Sequence, residues 1–492
     1  MAPVDDAPAL LTSAKERLAR QEASEARPLA QRALDKYAAA GDAEGRAAAL
    51  HVLVRSVITL KQFAEAMRFA EDALEQFRAA KDKRGEAVAL NEKAAVHLAD
   101  KEASHAEKAA SEARALAQEL GDRKLEVATL RTLIQALTVV MPEEAAGIAD
   151  TTGVIFKEVD GAAGEASALL LGAEARIAIG DPEESGNAAA AAKKAVGLLE
   201  KAGTKLQQAA ALQTRASACI ACGALEDARK AAMKALALSR EARDKIGQGT
   251  ASCTIANIDV AKKDFDQAAQ RAEEAAAIFQ KAGDFPRRAD ALLTVASAYS
   301  SRVTARTGTA SQKSLEEWCG AAWNAAGTAE QIFASMGENQ GRASAKHQIA
   351  MIFFAREQFA EALGTAQEAK GLFTEASDGR GVASCLLLMG QVQLRWQQVV
   401  EAGDNLTAAI RLFKESGDSE GVDMAQGAFE YVRPYYDGAK KAQNTPQPSA
   451  DEFDFNIQRR GHGWKQGVNC GHGYQMFRFM GMRGRPAANM KQ

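Results

Sequence analysis

A two-residue corner recurs along this 492-residue chain at nearly constant spacing. It is a Gly-Asp pair or a degraded form of one, and its second member falls at Asp42, Asp82, Asp122, Asp160, Thr204, Asp244, Asp284, Glu338, Asp378 and Asp418. The steps are 40, 40, 38, 44, 40, 40, 54, 40 and 40 residues. Glycine supplies the left-handed residue that ends one helix, and aspartate accepts the orphan N–H groups that open the next. A chain punctuated in this way is a series of helical hairpins. One hairpin cannot bury both of its faces, so neighbours must stack.

Between corners, apolar or small residues return at offsets 5, 8 and 12 from the anchor, as in Ala47, Leu50 and Val54, then Ala87, Leu90 and Ala94, then Ala289, Leu292 and Ala296. Those offsets share one face of a helix, here named helix A. At offset 21, Phe63, Leu225, Phe265, Phe359 and Val399 open a second helical run, helix B, and at offset 35 come Phe77, Phe279, Phe373 and Phe413. Each unit therefore reads helix A, turn, helix B, turn. About twenty-one helices are expected: ten hairpins and a capping helix near Gly421 to Val432, with no sheet.

Composition agrees. Alanine, leucine and charged residues dominate, prolines number 10 and aromatics are 6%, which favours helix over strand. The body from residue 1 to 440 shows no linker-like break and reads as one array. Charge is near balance, with 61 basic and 64 acidic residues, so no overall field marks a nucleic-acid or membrane binder. No apolar run is long enough to span a membrane, and neither a secretory nor a mitochondrial leader is visible. The six scattered cysteines read as reduced thiols, and the chain is expected in the cytoplasm, in association with the cytoskeleton or free of it.

The pattern Gly-Asp-x-x-Gly-x-Ala-x-Ala-Leu followed by Phe-x-Glu-Ala, seen at Gly41 to Leu50 and Phe63 to Ala66, resembles the 40-residue variant of the tetratricopeptide repeat found in kinesin light chains and in G-protein-signalling adaptors. The resemblance covers roughly residues 6 to 440. It implies an all-α, right-handed α-solenoid of about ten tetratricopeptide-like hairpins with a C-terminal capping helix. It also implies that helix A lines a concave surface that holds an extended peptide or a helix of a protein partner. The carboxylate clamp of chaperone-binding members has no counterpart here.

On helix A, offsets 9 and 13 face away from the 5, 8, 12 core. They hold His51, Arg55, Asn91, Arg131, Gln135, Gln213, Ser217, Cys253, Asn257, Ser297, His347 and Gln391. That row is polar and able to hydrogen bond, and it is either the partner groove or a solvated helix face. Two departures break the rhythm. The 54-residue step keeps its helix A offsets but delays the offset-35 aromatic to Phe333, so the extra residues lie between the two helices of that unit, with loop-like chemistry at about 301–314. Around Gly147 to Gly203 the steps of 38 and 44 imply irregular packing.

Other chemistry is thin. Cys219 and Cys222 form a Cys-x-x-Cys without a second pair or a nearby histidine, and read as packed structural thiols. His97, His105, His51 and His347 have no fixed partner by spacing. No metal, cofactor or catalytic set is expected. After a linker at 441–455, residues 456–492 carry seven basic residues and no acidic one, leaving 54 basic against 64 acidic before them. Six aromatics fall between Phe453 and Phe479. Arg459, Arg460, Trp464, Tyr474, Phe477, Arg478 and Phe479 are candidates for docking, on a partner or on the acidic body itself. Stacking on single-stranded nucleic acid, metal binding by His462, Cys470 and His472, and plain disorder compete with that reading. The expected function is a non-catalytic scaffold or adaptor. A structural subunit of a large assembly and a nucleic-acid or ribonucleoprotein assembly factor working through the tail are the alternatives; the acidic body argues against nucleic acid.

Overall fold

The computed structural model describes residues 6–20, 22–305 and 311–444. These form twenty helices, and no strand occurs among the described residues. The chain divides into two compact units, Met1–Arg243 and Asp244–Gln492. The first holds α1 (Ala7–Ala19), α2 (Ala23–Ala40), α3 (Ala43–Thr59), α4 (Phe63–Ala79), α5 (Lys83–Ala99), α6 (Ala103–Leu120), α7 (Arg123–Val140), α8 (Pro142–Ile179), α9 (Pro182–Ala202), α10 (Lys205–Ala221) and α11 (Leu225–Glu241). The second holds α12 (Lys245–Ala261), α13 (Phe265–Ala282), α14 (Phe285–Thr304), α15 (Gln312–Ser335), α16 (Asn339–Ala355), α17 (Phe359–Glu375), α18 (Gly379–Arg395), α19 (Val399–Glu415) and α20 (Ser419–Asn444).

The 40-residue period is two 17-residue helices and two three-residue turns, as in α3, residues 60–62, α4 and residues 80–82. Each turn is stereotyped. At the corner before α5, Lys81 adopts a left-handed conformation (φ 56°) and Asp82 an extended one (φ −87°, ψ 90°). The Asp82 N–H donates to the Phe77 carbonyl at 2.9 Å, and the Gly85 N–H donates to the Asp82 carboxylate at 3.0 Å. The first bond is the Schellman closure of one helix and the second the N-cap of the next. The same carboxylate cap recurs at Asp42, Asp122, Asp284, Asp378 and Asp418. Thr204 caps α10 with Gln207 in a reciprocal box.

Packing follows the offsets. Ala47, Leu50, Val54, Ala87, Leu90, Ala94, Ala289 and Ala296 are all buried, and Leu292 packs partly buried beside them. Phe63, Leu225, Phe265, Phe359 and Val399 each open a helix B. The offset-35 aromatics have a partner that the apolar pattern alone does not announce. A Cβ built on Gly85 would lie 2.1 Å from Phe77 Cδ1, and the same close approach joins Tyr37 to Gly45, Phe333 to Gly341, Phe373 to Gly381 and Phe413 to Gly421. In these five units the ring that ends one repeat thus packs on the bare third residue of the next helix A, whereas Phe279 packs on Gly249 of its own repeat and Arg287 stands at the corresponding place. A second tie is polar: Arg84 donates to Asp122 at 2.9 Å, Gln340 to Asp378 at 3.1 Å and Arg380 to Asp418 at 2.7 Å. Both ties run across repeat boundaries, where a solenoid gains its stability.

The irregular region has a backbone cause. Residues 142–160 and 162–179 form one continuous element, α8, kinked at Gly161 (φ 60°, ψ −138°), a conformation essentially reserved for glycine. Asp160 precedes that glycine instead of following it, so no carboxylate cap forms at this corner and the three-residue turn is lost. Counting the two arms separately gives twenty-one helical runs.

Residues 301–314, expected as a loop, are partly helical. α14 continues through Thr304 and α15 starts at Gln312, capped by Ser311, whose hydroxyl accepts from the Ser314 N–H at 3.1 Å. Val303, Leu315, Cys319, Ala322 and Ile352 bury a small core under this extension, and the Arg302 guanidinium stacks 4.0 Å over Trp318. The capping helix is longer than the sequence implies: α20 runs to Asn444, and Tyr436 donates to Asp404 at 2.6 Å while its ring lies on Gly403.

Candidate partner-binding face

Within each unit, successive A helices touch: α3 meets α5 and α5 meets α7, and α12, α14, α16 and α18 follow one another in the same way. The offset 9 and 13 positions therefore form rows across neighbouring repeats. In the first unit His51, Arg55, Arg131 and Gln135 are exposed, while Asn91 and Gln213 are half-buried. In the second, Asn257 is exposed, and Cys253, Ser297, His347 and Gln391 are half-buried.

Several of these side chains are tied to the adjacent helix A. His51 Nδ1 lies 2.8 Å from Oε1 of Glu92, a carboxylate only 2% exposed. Glu92 holds the imidazole above its ordinary pKa, against burial and the nearby Arg55, which pull it down. Thr294 donates to Asn257 at 3.2 Å. These A-to-A bonds lie on the candidate face and align the repeats there. Asn91 Oδ1 is buried and receives no hydrogen bond from the protein.

In the second unit, α16, the end of α17 and α18 enclose a cleft of about 250 Å³, lined by Ser344, His347, Gln348, Phe373, Asp378, Arg380, Gly381 and Ser384. Gln348 is among the lining residues, and its Oε1 is buried without a protein donor. Burial pushes the His347 imidazole down to about 4 and the Cys385 thiol up to about 12, and Cys385 Sγ lies 3.6 Å from His347 Nδ1. This is a neutral thiol beside a neutral imidazole, the reverse of the thiolate and imidazolium that a nucleophilic cysteine needs. The cleft offers hydrogen-bond donors and acceptors.

Cys219 is buried, and Cys222, half-buried, points its thiol to the Cys219 carbonyl at 3.5 Å. Burial raises Cys219, the behaviour of a packed thiol. His97 and His105, for which spacing suggests no fixed partner, do share one: both approach Glu102, across the turn between α5 and α6. The tail candidates Arg459, Arg460, Trp464, Tyr474, Phe477, Arg478 and Phe479 lie outside the described residues. Among the described residues no helix is long and apolar enough to cross a membrane.

No family model and no curated protein matches the chain. Among solved structures, the apo form of RapI is similar over 80% of this chain and 98% of its own, at 12% identity and a TM-score of 0.46. The apo form of the quorum sensor NprR from B. thuringiensis is similar over 75% of this chain and 99% of its own, at 13% identity and 0.46. A signal transduction ATPase with a tetratricopeptide repeat sensor, from Pyrococcus horikoshii, is similar over 77% of this chain and 54% of its own, at 16% identity and 0.49, so the match spans about half of that protein. The fold itself stands on the hairpins, their capped corners and the ring-on-glycine contacts: the described residues form an all-α array of helical hairpins with a tetratricopeptide-like fold.

Proposed function

We propose that the chain is a non-catalytic scaffold or adaptor that holds a protein partner, as an extended peptide or a helix, along the helix A face. The observation that carries this reading is the cleft between α16 and α18, where a buried amide oxygen of Gln348 receives no bond from the protein. A buried acceptor left without a donor costs about 1–3 kcal/mol, and a rotation of the Gln348 side chain toward a peptide N–H in the cleft relieves that cost. Asn91 supplies a second such acceptor in the first unit. Within the first unit His51, Arg55, Arg131, Gln135 and Gln213, and within the second Asn257 and Gln391, supply polar positions that sort one partner from another.

Peptides selected from a random library on the full chain test this. Bound peptide should slow amide exchange in residues 343–351 and 379–388, and Gln348→Leu should weaken binding at least tenfold while leaving the melting temperature unchanged or raised. Protection confined to the B helices, with Gln348→Leu binding as tightly as the parent, would remove the helix A face from consideration.

A further inference from the structure

His97, Glu102 and His105 converge at the turn between α5 and α6, and their ligating atoms all lie within 4.8 Å of one another. Glu102 Oε2 is 2.6 Å from His97 Nδ1 and 3.8 Å from His105 Nδ1, and the two rings stack with centroids 5.3 Å apart. We propose that this turn binds a divalent transition metal of the zinc class, held by the two imidazoles and the carboxylate and open to water or a partner's side chain at the remaining position.

Within the repeat, no other unit places a histidine at either position. At the position of His97, offset 15, other units carry Val57, Leu137 and Phe353 but also Asp259 and Gln393. At the position of His105, offset 23, other units carry Glu65, Glu361 and Glu401 but also Ala145 and Gln267. An acidic residue suits the first turn of a helix, whose N-terminus carries partial positive charge. Histidine takes that position in this unit. Packing does not require His105, whose side chain is 66% exposed, whereas His97 is 13% exposed. The left-handed Lys101 (φ 66°) reverses the chain between the two helices and brings the three groups to one side.

The chemistry and distances agree. Two imidazoles and one carboxylate form the ligand set of zinc sites that keep one position open. Zinc–ligand bonds of about 2.0–2.1 Å place tetrahedral ligands about 3.3 Å apart. His97 and Glu102 must separate by under ~1 Å, and His105 must close by about 0.5 Å on Glu102 and by up to about 1.5 Å on His97; side-chain rotation at an exposed turn supplies these shifts. Imidazole donors select zinc, copper, nickel or cobalt over magnesium and calcium.

Titration of the full chain with zinc chloride against a chelator tests the site. Any metal taken by cysteines and tail histidines elsewhere is common to parent and variant, so the difference between the two is the measurement. The parent should bind one equivalent more than His97→Ala/His105→Ala, and Glu102→Gln should weaken that equivalent at least ~10-fold. Zinc should raise the melting temperature of the parent more than that of the double variant by linkage, each shift being measured against the same protein's metal-free melt. Cobalt at this equivalent should give visible bands without thiolate charge transfer. Equal stoichiometry and equal zinc-induced shifts in parent and double variant would overturn the proposal, as would a thiolate signature on the equivalent that the double variant loses.

Discussion

Replacing Gly85 with alanine sets two rules against each other. In an open helical position the change from glycine to alanine stabilises by about 0.8–1 kcal/mol. Gly85 is not open: the new methyl carbon would lie 2.1 Å from Phe77 Cδ1 and 2.4 Å from Cε1, against an optimal carbon–carbon separation of about 3.5–4.0 Å. The ring, 1% exposed, must withdraw by more than ~1 Å into a packed interior. Overpacking of this kind costs about 1–3 kcal/mol, so the net effect is a loss of up to about 2 kcal/mol. Gly197 in α9 is exposed, with nothing near its missing Cβ, and Gly197→Ala should gain the full propensity. Urea unfolding followed by far-UV circular dichroism should place the two midpoints on opposite sides of the parent, with faster amide exchange in α4 and α5 for Gly85→Ala alone. Adding Phe77→Leu should recover part of the loss, because the two sites share one contact. A Gly85→Ala chain as stable as Gly197→Ala would refute the ring-on-glycine account of the repeat boundary.

Other perturbations follow from the same geometry. Leu90→Asp places a charge at a site 4% exposed and should cost several kcal/mol, with α5 and its neighbours exchanging first; an unchanged melt would take Leu90 out of the core. Lys81→Gly removes a side chain from a left-handed residue and should stabilise by up to about 1 kcal/mol, read as a higher urea midpoint. The His51 pKa is raised by Glu92, so its contribution is full below the ordinary 6.5 and is lost as pH rises through the folded value; the stability gap between parent and His51→Gln should shrink from pH 6 to pH 9. His347 is depressed to about 4, so its contribution is full above 6.5 and is lost as pH falls toward 4; His347→Gln should flatten the acid limb of the stability profile. A peptide of residues 456–492 should bind a chain ending at Asn444 more weakly at high salt, and Trp464→Ala should reduce that binding; no binding at low salt would exclude self-docking.

The repeat was legible because its corners are chemical necessities. Each Asp anchor from Asp42 to Asp418, apart from Asp160, occupies the N-cap position that its chemistry implies, and the offset 5, 8 and 12 residues fill the core. The glycine at offset 3 was visible as a pattern, but its reason was not, since that reason is a ring eight residues earlier. Lys81 and Ser377 adopt left-handed turns without glycine because the neighbouring caps and packing fix the corner. Hydrogen bonding along the face was the least legible. Its row could be read from period alone, yet the pairing of His51 with Glu92 joins residues 41 apart on different helices, and the meeting of His97, Glu102 and His105 depends on a turn geometry that spacing does not reveal.

The extension at α14 and α15 has a consequence for addressing. A string of like repeats is nearly degenerate under translation: a ligand that fits one repeat can slide by one and fit again, with little energy to choose between the frames. α14 is three residues longer than the 17-residue standard and α15 seven longer, both at the end where helix A turns into helix B. At about 1.5 Å per residue that is a spur of roughly 5–10 Å. A partner that touches it has one allowed frame on the second unit. Shortening α14 and α15 to the common length would then leave binding strength per repeat intact while erasing the position at which binding starts.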